Sequence, residues 1–249
     1  KMLISGKWVD AADGKTLDVT NPYNGSFLDT VPSATKADVD RAIEEAEEAQ
    51  KVWNRIIIRE RAVILRRFLE LLQENRDDLA RTITLETGKP VFDSYGEIDS
   101  VYMTFESAIE IVKHHYGKTM PMGIEGGYDH DLQVTVHEPL GIIACIVPFN
   151  FPAALWAFKA GPALMAGNAI VVKPATSNPL TVMKLMGLLV EAGVTPGCVQ
   201  CITGRGSTVG NWISDHPAVA QVNLTGGVEA GKEIARHTAE NLTPYKFEL

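Results

Sequence analysis

From Gly141 onward the chain alternates short, β-branched apolar runs with longer helical patterns, and this rhythm restricts the fold more than any other feature. Strands are predicted at Gly141–Val147, Ala169–Val172, Val199–Ile202, Ala220–Leu224 and Tyr245–Leu249, with helices between them at Ala153–Met165, Pro179–Ala192, Ser207–Ser214 and Val228–Ala239. Gly141–Val147 is apolar throughout, as a strand covered on both faces is. Every crossover is long enough for parallel pairing, so the expected core is an α/β fold built on a doubly wound, parallel, five-stranded sheet. In such sheets ligands bind beyond the carboxyl ends of the strands.

Polar residues and glycines collect at those ends. Two prolines bracket Asn150 in Pro148-Phe149-Asn150-Phe151-Pro152, which leaves the turn little freedom. The next strand ends at Lys173-Pro174. Thr203-Gly204-Arg205-Gly206-Ser207, with Gly210 further on, follows the third strand, and Thr225-Gly226-Gly227, with Gly231, follows the fourth. Glycine at a strand-to-helix turn lets backbone N–H groups approach a phosphate at the positive end of a helix. Neither turn has the G-x-G-x-x-G spacing. Their sharing one sheet edge with Lys173 points to a dinucleotide site.

The first half reads differently. Leu3–Val9 and Thr16–Thr20, with a turn at Asp13-Gly14, are expected to form a small antiparallel element, and Phe27–Val31 one more short strand. Thr35-x-x-Asp38 opens a helix by a capping box. Its glutamates 44, 45, 47 and 48 form a solvated face. Helices follow at Arg59–Glu74, Asp77–Thr87 (stopped by Gly88 and Pro90) and Pro90–Tyr116. Leu132–Glu138 alternates in polarity, as a half-exposed antiparallel strand does, and is expected to project as an arm that pairs with another chain. The organisation expected is strands and helices over 1–117, the arm over 118–139 and the sheet over 140–249.

Composition removes several function classes. With 23 basic and 31 acidic residues the net charge is −8, which argues against nucleic-acid binding. No apolar run approaches the roughly 20 residues of a membrane span, and no secretory leader is expected from the strand-like pattern at Lys1–Ser5. The three cysteines form no disulfide framework, which fits a reducing, cytoplasmic setting. Cys198 and Cys201 lie on one short strand and are expected to be ordinary buried thiols, and Cys145 an inert one.

Taken together, Pro148–Pro152, Gly161-Pro-Ala-Leu164 with Gly167-Asn168, Val171-Val-Lys-Pro174, Thr203–Gly206, Leu224–Gly227 with Gly231, and Phe247-Glu-Leu249 resemble the aldehyde dehydrogenase superfamily over essentially the whole chain. The resemblance implies a Rossmann-like cofactor domain with an N-terminal helical layer and a projecting antiparallel arm. It implies oxidation of a small aldehyde to an acid with NAD or NADP, and a homo-oligomer, dimer or tetramer. By the same resemblance Asn150 is the oxyanion donor and Glu248 the general base. Pro148, Phe149, Lys173, Thr176, Gly204, Gly206, Gly210, Thr225, Gly226, Gly227 and Gly231 line the cofactor, and no metal is involved. Helix residues Ala154, Trp156 and Ala157 are expected to contribute to aldehyde specificity.

Three departures qualify this. Thr176 stands where NAD-preferring members carry a glutamate that would repel a 2′-phosphate. With Lys173 or Arg205 available as a cation, NADP is expected to be accepted. Gly227 replaces the usual serine. The family's nucleophilic cysteine lies beyond the motif that ends at Leu249, so the 249 residues correspond to the cofactor portion and are not expected to oxidise aldehydes alone. The alternative is a non-catalytic, truncated nucleotide-binding or interaction protein. It is disfavoured because such a module needs neither Asn150 nor Glu248. A CoA-acylating relative is disfavoured by Glu248, since such members do without a hydrolytic base.

Overall fold

The computed structural model describes residues 1–249. Two strands open the chain, β1 (Met2–Ile4) and β2 (Lys7–Val9), joined by a tight turn at Ser5-Gly6, both with positive φ. β3 (Thr16–Thr20) and β4 (Phe27–Pro32) form a separate antiparallel ribbon. Four helices follow: α1 (Lys36–Arg55), α2 (Ile58–Glu74), α3 (Arg76–Thr87) and α4 (Val91–Lys113). The Thr35 cap forms as expected: Asp38 N donates to Thr35 Oγ1 and Thr35 N donates to Asp38 Oδ2. Gly88 ends α3 in the left-handed region, at φ 78°. The arm holds β5 (Thr119–Met120) and β6 (Gln133–Val134).

Thereafter strand and helix alternate: β7 (Ile142–Ile146), α5 (Pro152–Met165), β8 (Ala169–Lys173), α6 (Leu180–Glu191) and β9 (Val199–Cys201). A π-helical turn (Gly206–Gly210) runs into the short α7 (Asn211–Ser214), then β10 (Val219–Thr225), α8 (Val228–Ala239) and β11 (Tyr245–Glu248). The five predicted strands all form and pair in parallel. The sheet is larger than expected, however, with seven strands in the order β11-β10-β7-β8-β9-β1-β2. The extra pair comes from the N-terminal hairpin. Met2, Leu3 and Ile4 are all buried, and Leu3 pairs antiparallel with Cys201. Ser5 N completes the junction by donating to Gln200 Oε1 at 2.8 Å. Thr16–Thr20 therefore pairs with β4 rather than with Leu3–Val9.

Two other expectations are corrected. The segment 207–214 is not one regular helix. Its first part, with glycine at both ends and β-branched Thr208 and Val209 inside, winds as a π turn. In the arm, Leu132–Glu138 shows no buried face. Only Gln133 and Val134 pair, with β5, and Leu132, Val134 and Val136 are all exposed, because nothing in this chain covers them.

α5 is held at both ends by the N-terminal layer. At its carboxyl end Trp53 Nε1 donates to Leu164 O at 2.8 Å and buried Arg61 donates from Nε to Met165 O at 3.1 Å. Gln50 Nε2 donates to Gly167 O at 3.0 Å. These bonds satisfy carbonyls that a helix end leaves open. Along its length Gly161 lets the ring of Phe105 approach closely.

α6 is capped from the same layer. Leu180 N and Thr181 N donate to the Glu86 carboxylate at 2.7 and 2.9 Å. Burial pushes the Glu86 carboxyl from its ordinary 4.5 up to about 7, against the opposing pull of those N–H donors. The native state thus holds a proton that the unfolded chain releases at lower pH. The stability Glu86 contributes is full below pH 4.5 and is lost as pH rises to about 7, a swing of roughly 3 kcal/mol. Glu86→Gln keeps an acceptor for the helix and is expected to flatten that part of a urea-unfolding pH profile. A variant profile that still falls as steeply would rule Glu86 out as the source.

Candidate functional site

The strand order reverses between β7 and β10: the chain runs outward from β7 to β9, then returns to β7's other side. A crevice at such a reversal, at the carboxyl ends, is where ligands bind in open α/β sheets. Register brings the candidate residues to that edge. Ile146 pairs with both Lys173 and Leu224, and Thr225 pairs with Glu248. Across the edge the order is therefore Glu248, Thr225, the Asn150 turn, then Lys173.

The Asn150 turn leaves β7 through Val147-Pro148. Pro148 is half-buried and Phe149 and Asn150 are exposed. The carbonyl of Phe149 accepts from Asn178 Nδ2 at 2.7 Å, and that of Asn150 from Lys89 Nζ at 2.9 Å. Asn150 is exposed, and it is its backbone carbonyl, not its side-chain amide, that the chain engages. Ala154, Trp156 and Ala157 are not beside it. All three are buried, Trp156 against Phe68 and Phe105. Phe151, at the capping position of α5, and Phe158 on the helix are exposed instead.

Glu248 is tied to the sheet through its backbone, whose carbonyl accepts from Gly226 N at 3.0 Å. Its carboxylate accepts from Thr225 Oγ1 at 3.2 Å, and that hydroxyl accepts from Lys159 Nζ at 2.5 Å. Lys159 was not anticipated. A lone lysine in the otherwise apolar run Ala153–Met165 is the signal that could have found it. Burial pushes its pKa down, partly offset by the nearby Cys145 and Glu248.

The residues fit a dinucleotide. α8 begins at Gly227 with no side-chain cap, and a Cβ at Gly227 would meet nothing within 4 Å. That leaves free N–H groups and an open approach for a pyrophosphate. Lys173 is buried, and its ammonium donates only to Pro174 O, at 2.8 Å. Burial holds its pKa down to about 8. A Cβ at Gly210 would lie 3.9 Å from both Lys173 Cδ and Ile146 Cδ1, and one at Gly206 would meet nothing. Gly210 thus adds no side chain beside the lysine. A Cβ at Gly226 would lie 3.3 Å from Leu224 Cδ1, a tight approach that the missing side chain avoids.

Other candidates have structural reasons to be what they are. Gly204 has φ 151°, and a Cβ there would fall 2.5 Å from Val209. A Cβ on Gly231 would fall 2.7 Å from Leu249. The Thr176 hydroxyl donates to Gly204 O at 3.1 Å, and Thr176 lines one cavity with Arg205, Phe149 and Asn178. The three cysteines are free and buried, and burial pushes each thiol up to about 12. None is a nucleophile at neutral pH.

A family model described as the aldehyde dehydrogenase family matches residues 8–249. The chain is 39% identical over 248 residues to the succinate-semialdehyde dehydrogenase [NADP(+)] of Escherichia coli (strain K12), covering 99% of this chain and 50% of that protein. It is 38% identical to the glutarate-semialdehyde dehydrogenase of Pseudomonas putida, covering 99% and 50%. Among solved structures it matches an E. coli NADP-dependent enzyme with a TM-score of 0.96 and 38% identity, over 100% of this chain and 51% of that one. The chain thus spans about half the length of the curated relatives it matches. Fold, site edge and family match agree, and the chain belongs to the aldehyde dehydrogenase family.

Proposed function

We propose that this chain is the cofactor-binding portion of an NADP-accepting aldehyde dehydrogenase. The observation that carries it is the convergence of Asn150, Lys173, Thr225 and Glu248 on the carboxyl edge of one sheet. When bound, the nicotinamide dinucleotide supplies the hydride acceptor. The chain's own residues do the rest of what is assigned to it. The α8 N-terminus with Gly226 and Gly227 holds the pyrophosphate, and Lys173 meets the adenosine ribose. Asn150 donates to the aldehyde oxygen as negative charge develops there. Glu248 takes the proton of the hydrolytic water, its carboxylate held by the Thr225 hydroxyl that Lys159 in turn donates to.

The nucleophile has to come from outside residues 1–249, because the three thiols present are enclosed and protonated. NADP is favoured by neutral Thr176 beside the cation of Arg205, and the E. coli relative is named for NADP(+). The exposed apolar side chains of the arm suit pairing with a second copy of the chain. The alternative, a binding module without catalysis, leaves the free amide of Asn150 and the Lys159–Thr225–Glu248 line without a purpose.

Calorimetric titration of the chain with NADP and NAD tests the cofactor assignment. NADP is expected to bind at least as tightly as NAD. Much tighter NAD binding would overturn the acceptance of NADP, and no binding of either would overturn the platform itself. A cofactor-reduction screen of the whole protein against an aldehyde panel then tests the reaction.

A further inference from the structure

α5 starts two residues after Asn150 without a cap of its own. Phe151 occupies the capping position and offers no side-chain acceptor. The N–H groups that follow are satisfied from another layer: Ala153 N and Ala154 N donate to Glu97 Oε1 of α4 at 2.7 and 3.2 Å. The other carboxylate oxygen, Oε2, accepts from Lys89 Nζ at 2.5 Å. The same ammonium donates to Asn150 O at 2.9 Å and lies 4.1 Å from the centre of the Phe151 ring. Glu97 is fully enclosed, and the Lys89 side chain is 14% exposed. One ion pair therefore grips both sides of the turn: its last free carbonyl and the first free amides of the helix that follows.

An ion pair this enclosed is poor evidence of a device for stability, since desolvation consumes most of its attraction. It is well suited to fixing geometry, because both charges are satisfied only when the turn sits in one place. We propose that Lys89 and Glu97 are positioning residues for Asn150, holding its backbone so that the amide meets the substrate oxygen. This rests on the oxyanion role assigned to Asn150 above.

Two measurements test it. Hydrogen–deuterium exchange on the 249-residue chain reads the clamp without any activity. Lys89→Met is expected to speed exchange over residues 149–155 by about tenfold or more, with α6 and β8 unchanged and Lys89→Arg restoring slow exchange. Exchange that stays slow in Lys89→Met overturns the clamp. In the whole protein, Lys89→Met is expected to lower kcat by roughly 10- to 100-fold with NADP affinity unchanged. In an Asn150→Ala background it is expected to cost nothing further, whereas a general loss of folding would cost the same in both. Equal losses in the two backgrounds overturn the positioning role. Should Asn150→Ala itself leave kcat intact, the oxyanion assignment fails, and the exchange result still decides the clamp.

Discussion

Asn150→Ala is expected to lower kcat for aldehyde oxidation by the whole protein by about 10²- to 10³-fold, with NADP affinity and melting temperature nearly unchanged. The size follows from what the amide is asked to do. A neutral donor fixed in advance stabilises an oxygen that is anionic only in the transition state, so its loss falls on the rate rather than on binding. The selectivity follows from the structure. The side chain is exposed and only the backbone carbonyl of Asn150 is engaged, by Lys89. Removing the amide therefore leaves no buried partner unsatisfied. Asn150→Asp should be at least as damaging, since a carboxylate opposes the developing charge. Steady-state kinetics beside thermal melts check this, and a kcat within a few-fold of the parent would remove Asn150 from the chemistry.

Legibility from the sequence follows the range of the interactions concerned. The parallel strands were readable because continuous apolar runs encode a strand buried on both faces, and they appear within a residue or two of where the pattern puts them. The two added strands were not, because the pairing of Leu3 with Cys201 spans the chain and no local pattern encodes it. At the site, Asn150 and Lys173 stood out because they interrupt apolar runs at strand ends. Glu248 looked like any chain-end residue until the family motif singled it out. Glu86 and Glu97 were unreadable: a glutamate in a polar helix normally faces water, and these two are enclosed only because α3 and α4 pack over the starts of α6 and α5.

Lys173 is where fold and function should pull apart. Burial displaces its pKa from 10.5 to about 8, which corresponds to roughly 3 kcal/mol of unfavourable desolvation below pH 8. The sign is opposite to that of Glu86. Below pH 8 both states carry the charge and the penalty is complete. Between pH 8 and 10.5 the native state sheds its proton while the unfolded chain keeps it, so stability rises with pH and the penalty has gone above 10.5. Methionine keeps much of the aliphatic volume and gives up the bond to Pro174 O, a loss of about 1 kcal/mol. Lys173→Met is therefore expected to melt several degrees higher at pH 7, with the advantage shrinking towards pH 10. It is also expected to bind NADP about 10- to 100-fold more weakly, having lost a charged donor. Melts at the two pH values and a cofactor titration read both effects. A variant that melts lower at pH 7 and binds NADP normally would show that the ammonium is buried for structure alone. The expected pattern would show a lysine kept at a cost to stability because the ribose needs it.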